Sequence, residues 1–287
     1  VEWFISPIKL FMIQYKTPEQ IALIKEGGHI LAGIVQKLAA AVKPGVTTAD
    51  LEALFLGLVE AAGGAPSFKG FRSSRREAPF PTGLCASVNE QIVHGPAIPG
   101  RTLHSGDIIG LDVGMEYPLK QPGHLPDWTV NSSSPHGGYF TDMAVTVPVG
   151  KVSRLANHLI NVTRESLALA INEVAPGCSL LRIAQVIERL VEKHGFTVVH
   201  DLVGHGVGLG VHEDPSIPHY VCNDYGEQDI ILQPGMVIAI EPMVSTGSPE
   251  IKLGRDHLSF ETVDGSLSAH FEHTIAVTAT GHQVLTI

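Results

Sequence analysis

The stretch Gly106-Asp107-Ile108-Ile109-Gly110-Leu111-Asp112 is written a second time as Gly235-Met236-Val237-Ile238-Ala239-Ile240-Glu241. The two copies keep one register, since 235 − 106 and 241 − 112 both equal 129. Each reads as a glycine turn, a short apolar run and a terminal acid, and such runs are buried strands. A carboxylate at the end of a buried strand is costly to desolvate unless something pairs with it. Two acids in equivalent places predict two half-domains that face each other across a shared cation.

The flanking sequence repeats as well. Thr17-Pro18-Glu19-Gln20 is a capping box with proline at the first helical position. Ile21, Ile24, Leu31, Ile34, Val35 and Leu38 follow at helical spacing, and Lys43-Pro44-Gly45 ends the helix. A second helix over 48–62 places Leu51, Leu54, Phe55 and Leu58 on one face, and Gly63-Gly64 stops it. At an offset of 132, Val42-Lys43-Pro44-Gly45 returns as Val174-Ala175-Pro176-Gly177, Leu51 as Ile183, Leu54 as Val186, Leu58 as Leu190 and Gly63 as Gly195. The expected fold is α+β, with pseudo-twofold duplicated helix-helix-strand halves around a central antiparallel sheet.

Bulk properties narrow the function. The 287 residues are 44% hydrophobic and 17% charged, a globular composition, and the formal net charge of −10 opposes a general affinity for nucleic acid or anionic membrane. A local basic patch at Arg72, Arg75 and Arg76 is the exception. Cys85, Cys178 and Cys222 are sparse and odd in number, which indicates a reducing, cytoplasmic compartment. No apolar run is long enough to span a bilayer. Residues 1–11 make a poor signal peptide, and Met12 is an alternative start. The expectation is a poorly ordered extension over 1–14 and one catalytic domain over 15–287. Prolines, glycines and serines make 117–138 a long loop, either functional or mobile.

Five ligand-type side chains stand in apolar or glycine-rich surroundings: Asp112, Asp142, His205, Glu241 and Glu272. Each alone has a structural explanation. Together, four carboxylates and an imidazole form a hard donor set that suits Mn, Fe(II), Co or Zn, with a carboxylate bridging two ions. Without cations the acids would raise one another's pKa. The glycines of Val203-Gly204-His205-Gly206-Val207-Gly208-Leu209-Gly210 suggest a nucleotide loop, but Leu209, Val211 and Glu213 occupy the positions where a further glycine is required, and Asp214-Pro215 follows instead of a helix. Glycines around a histidine instead allow close backbone approach to a substrate or metal. His94 in Val93-His94-Gly95 and His212 in Val211-His212-Glu213 share a local pattern and read as polar groups near the reacting bond.

At these residues the chain resembles the type I methionine aminopeptidases, dinuclear metallopeptidases of the pita-bread fold. The motifs are Ser87-Val88-Asn89-Glu90 through His94-Gly95, Leu111-Asp112-Val113, Gly204-His205-Gly206, His212-Glu213-Asp214-Pro215, Ile240-Glu241-Pro242-Met243, and Ser266-Leu267-Ser268-Ala269 through Glu272-His273-Thr274. The resemblance runs from about residue 15 to 287. It implies two divalent ions bridged by Asp142 and Glu272, one held further by Asp112 and the other by His205 and Glu241. It implies that the ions activate a water, that His94 and His212 bind the scissile peptide, that Glu241 is the general base, and that Phe80, Cys85 and Val211 line the methionine pocket. The implied partners are nascent polypeptide N-termini, with a possible ribosome contact, and the implied state is a monomer; the loop over 117–138 covers the site, touches the ribosome or hangs in solvent, alternatives that the sequence leaves open.

The chain departs from the family pattern in the long separation of Asp112 and Asp142, in an insertion over 72–79, and in Leu258 where an aromatic is common. Asp127 competes with Asp142 as the second aspartate. Two rival readings keep the fold: an X-Pro aminopeptidase or prolidase-like enzyme, and a non-catalytic peptide-binding module. His205 has no counterpart ligand in the first half, so the ion on its side is expected to bind more tightly.

Overall fold

The computed structural model describes residues 12–72, 78–119, 136–221 and 229–287. Most of the loop over 117–138, with Asp127, therefore lies outside the described residues, as do Cys222, residues 1–11 and the centre of the 72–79 insertion. In chain order the elements are α1 (Pro18–Ala41), α2 (Thr48–Ala61), β1 (Ala65–Pro66), β2 (Leu84–Val88), β3 (Gln91–Val93), β4 (Ile108–Tyr117), β5 (Tyr139–Pro148), α3 (Arg154–Glu173) and α4 (Leu180–Lys193). There follow β6 (Thr197–Val198), β7 (Gly204–Gly206), β8 (Glu213–Ile217), β9 (Val237–Ile240), β10 (Met243–Ser245), β11 (Ile251–Leu253), β12 (Phe260–Thr262), β13 (Ser268–His270), β14 (Glu272–Val277) and β15 (His282–Val284). No helix among the described residues is long and apolar enough to cross a membrane.

The duplication is visible in backbone detail. Both halves begin with a helix that ends in an extended valine cap, Val42 and Val174. Gly45 and Gly177, with φ of 92° and 86°, turn the chain at matching points, where a side chain would be strained. The Gly45 N–H donates to Leu103 O, and Gly177 N–H donates to Leu232 O in the same way. On α2 and α4, Leu51 and Ile183, Phe55 and Ile187, and Val59 and Val191 are each buried. Thr17 with Gln20 and Thr47 with Asp50 form reciprocal capping boxes.

The central sheet runs β1-β4-β5-β14-β9-β7-β8, with β2 also paired to β4 and β15 to β14. Its two faces do different work because successive side chains alternate. One face carries Ile109, Leu111, Val113 and Met115 against α1 and α2 in one core, and Ile238, Ile240, Ile275 and Val277 with α3 and α4 in another. Each fully buried side chain of this type contributes about 1.5–3 kcal/mol. The opposite face carries the acids.

Candidate metal centre

Strand register alone gathers the five ligand-type residues. Residues directly opposite in a sheet share a face, as do residues two apart along a strand. Cys85 on β2 opposes Asp112 on β4, Asp112 opposes Ala144 on β5, and Ala144 opposes Glu272 on β14. Asp142 is two residues before Ala144. Thr274 is two residues after Glu272 and opposes Ala239 on β9, which opposes His205 on β7. Glu241 is two residues after Ala239. All five therefore point from one face, interleaved with the small Ala144 and Ala239.

Ligand atoms of Asp142, His205 and Glu272 lie within 4.8 Å of one another. His205 Nε2 stands 3.4 Å from Glu241 Oε1 and 3.9 Å from Asp142 Oδ2. The backbone fixes much of this. Thr274 Oγ1 accepts the Asp142 N–H at 3.0 Å and donates to Asp142 O at 2.8 Å, continuing the β5–β14 contact where the ladder ends. The glycines beside His205 serve the strands more than a substrate. A Cβ at Gly204 would collide with the Ala239 carbonyl, and one at Gly206 with that of Asp214.

The donor chemistry fits divalent cations. His205 Nδ1 lies 2.9 Å from Gly206 O, so Nδ1–H donates there and Nε2 is the ring nitrogen turned to the acids. Glu272 Oε1 is buried with no hydrogen-bond partner, a cost that a cation removes. Burial pushes the Asp112 carboxyl up to about 7, opposed by His270, reinforced by Glu241, and opposed again by the Cys85 thiol that donates to it. Burial also pushes Glu241 up to about 7, with His205 pulling it down. Asp142 and Glu272 rise well above the carboxylate range, through burial first and neighbouring acids second. Repulsion among acids in a dry site is what a bound cation reverses.

His94 and His212 stand at the exposed rim of the cleft. The His212 ring lies edge-on to His205 at 4.5 Å and to Phe71 at 5.1 Å, and His94 lies 5.6 Å from Phe260. Both imidazoles are held below the ordinary histidine range, by the protein packed around them and then by neighbouring imidazoles. Each is therefore neutral at pH 7 and keeps one N–H to donate. Phe80, Cys85 and Val211 share one apolar cluster, whose other members include Phe68, Phe71 and Phe140.

Two histidines beside Glu241 were given no role in the sequence reading. His270 Nε2 lies 3.5 Å from Glu241 Oε2, and His219 Nε2 accepts the Glu241 N–H at 3.2 Å. Burial, then His270 and His205, lower His219 to about 3, so it is a neutral acceptor. Neither signals itself in sequence, since both reach Glu241 only through strand pairing and loop packing.

The model of metallopeptidase family M24 matches residues 22–119 and 127–279, and the break between them falls within the long loop. Methionine aminopeptidase 1 of Bacillus subtilis is 41% identical over 276 residues, covering 96% of this chain and 99% of its own. The crystal structure of methionine aminopeptidase from Thermotoga maritima is 36% identical with a TM-score of 0.83, over 96% of this chain and 99% of its own. A prolidase from Pyrococcus horikoshii, at 20% identity and a TM-score of 0.70, covers 96% of this chain and 64% of its own and shares the fold. The common architecture is the pita-bread fold, the α+β arrangement expected from the repeated strand. With that family model over most of its length and a full-length relative at 41% identity, the chain belongs to metallopeptidase family M24, on its methionine aminopeptidase branch.

Proposed function

We propose that this enzyme removes the initiator methionine from nascent polypeptides whose second residue is small. It would use two divalent ions drawn from Mn, Fe(II), Co or Zn, and act as a cytoplasmic monomer. The observation that carries the reading is the convergence of Asp112, Asp142, His205, Glu241 and Glu272 on one sheet face beneath a rim of two neutral imidazoles. The full-length likeness to methionine aminopeptidases supports the substrate.

In this reading Asp142 and Glu272 would hold both ions, Asp112 would hold one, and His205 with Glu241 would hold the other. When bound, such ions supply Lewis acidity, which acidifies water and polarises the scissile carbonyl. The remaining work falls to the chain itself. Glu241 would take a proton from the attacking water and return it to the departing amine nitrogen as the peptide bond breaks. His94 and His212 each donate one N–H to the scissile peptide, most strongly as negative charge develops on its oxygen. The substrate amino terminus sits beside Asp112. The cluster of Phe80, Cys85 and Val211 receives the methionine side chain, an apolar, flexible group that such a pocket accepts.

Metal-loaded protein offered Met-Ala-Ser and Ala-Pro-Ser side by side tests the substrate. Release of methionine from the first is expected. Preference for the second would favour an X-Pro enzyme, and cleavage of neither would favour a binding module.

A further inference from the structure

The turn that carries His212 is fastened from outside the metal cluster. Lys16 stands just before α1 in the first half of the chain, and Glu213 opens β8 in the second. The Lys16 ammonium pairs with Glu213 Oε2, and the two side chains are only 1% and 5% exposed. The other Glu213 oxygen, Oε1, accepts the N–H groups of Leu209 at 2.5 Å and Gly210 at 2.7 Å. One carboxylate therefore closes the turn over 209–213 and ties it to the lysine.

Lys16 is itself fixed at both ends. Its Nζ donates to Gln14 O at 3.1 Å, and its backbone N–H donates to Gly235 O at 2.7 Å. The lysine stem also packs on the turn. Gly208 has a φ of 132°, and a Cβ there would stand 2.9 Å from Lys16 Cε. Gly208 O accepts the N–H of Phe140 at 2.8 Å, which seats the turn on the strand that bears Asp142. Among the described residues no hydrogen bond orients the His212 ring. Its place depends on this turn and on its ring contacts with Phe71 and His205.

A buried ion pair adds little stability over a packed apolar pair, so stability alone is a weak reason to find one here. We propose that Lys16 is a positioning residue of this enzyme and, through Glu213, sets where the His212 imidazole stands over the substrate. The inference rests on the reading of His212 as a group that touches the scissile peptide. A misplacement of about 1 Å in such a group costs on the order of 100-fold in rate.

The test uses Mn-loaded, full-length protein and Met-Ala-Ser. Lys16→Met is expected to lower kcat by about 10- to 100-fold with KM changed by less than about threefold. Lys16→Arg should restore most of the loss. The double variant Lys16→Met/Glu213→Gln strands neither charge and keeps an acceptor for Leu209 and Gly210, so it provides a folded form even if Lys16→Met alone fails to fold. It should stay slow, and its histidine ring spectrum, recorded on the diamagnetic Zn-loaded protein, should show the His212 signals moved and the His205 signals in place. In a His212→Ala background, Lys16→Met should add less than about a threefold effect.

Recovery of wild-type kcat in the double variant would overturn the proposal, because Lys16 would then only neutralise Glu213. So would losses that multiply in the His212→Ala background. A His212→Ala enzyme as fast as wild type would instead refute the reading of His212 itself.

Discussion

Removing metal should make this protein's stability fall as pH rises through neutrality, and the size of the fall follows from two carboxyls. Asp112 and Glu241 sit at about 7 in the metal-free fold, against about 4 in an unfolded chain. The folded protein therefore holds their protons more tightly than the unfolded chain does. Their contribution is complete below about pH 4 and is lost as pH rises through 7. Between pH 6.5 and 8.5, a carboxyl titrating at 7 in the fold and already ionised in the unfolded chain costs about 0.8 kcal/mol, so the two cost about 1.6 kcal/mol. A shift of that size lowers the melting temperature by roughly 3–6 °C.

The buried histidines run the other way. His219 is lowered to about 3, so its contribution is complete above the unfolded value of about 6.5 and is lost as pH falls from there through about 3. That term is nearly complete and changes little over this window, and it is common to metal-loaded and chelated protein. The clean quantity is therefore the difference in melting temperature between Mn-loaded and chelated samples at pH 6.5, 7.5 and 8.5. It should widen with pH. A constant or narrowing gap would refute the claim that buried, mutually repelling carboxylates await a cation.

The other predictions concern single side chains. Asp142→Asn should lower kcat by about 1,000-fold or more, the several kcal/mol that a held cation supplies, while Asp127→Asn stays within about threefold; the reverse would misplace the bridging acid. In calorimetric titration, His205→Ala should weaken the first ion more than Asp112→Asn does, and the opposite order would remove the argument from the unpaired imidazole. Thr274→Val should cost about 1–3 kcal/mol in chemical denaturation, because the buried Asp142 N–H loses its acceptor. An unchanged midpoint would mean that the N–H finds another.

The duplication was legible because it leaves marks that physics forces into sequence. Gly45 and Gly177, Gly63 and Gly195, and Gly106 and Gly235 all hold positive φ, so side chains are selected against at both copies. The acids were legible for a related reason: a charge at the end of a buried strand has few inexpensive explanations. Asn89, by contrast, serves its turn, taking φ of 60° and bonding Asp107 and Ile108 through its side chain.

What stayed hidden depends on long-range pairing. Lys16 reads as a lone surface base before a helix cap, and its partner lies 197 residues away. His270 comes to Glu241 because β13 pairs with β10, which opposes His270 to Met243 just past that acid. Thr274 looks like any β-branched strand residue, and only the end of the β5–β14 ladder gives its hydroxyl a task. The glycines around His205 read in sequence as room for a substrate or metal. They are room for β8 and β9, a use that cannot be seen before the strand order is known.

The most direct test of the account is methionine release from Met-Ala-Ser by metal-stripped protein before and after Mn(II) is added back. The account predicts no release from the stripped protein and full recovery on reloading. Equal release in both samples would contradict it.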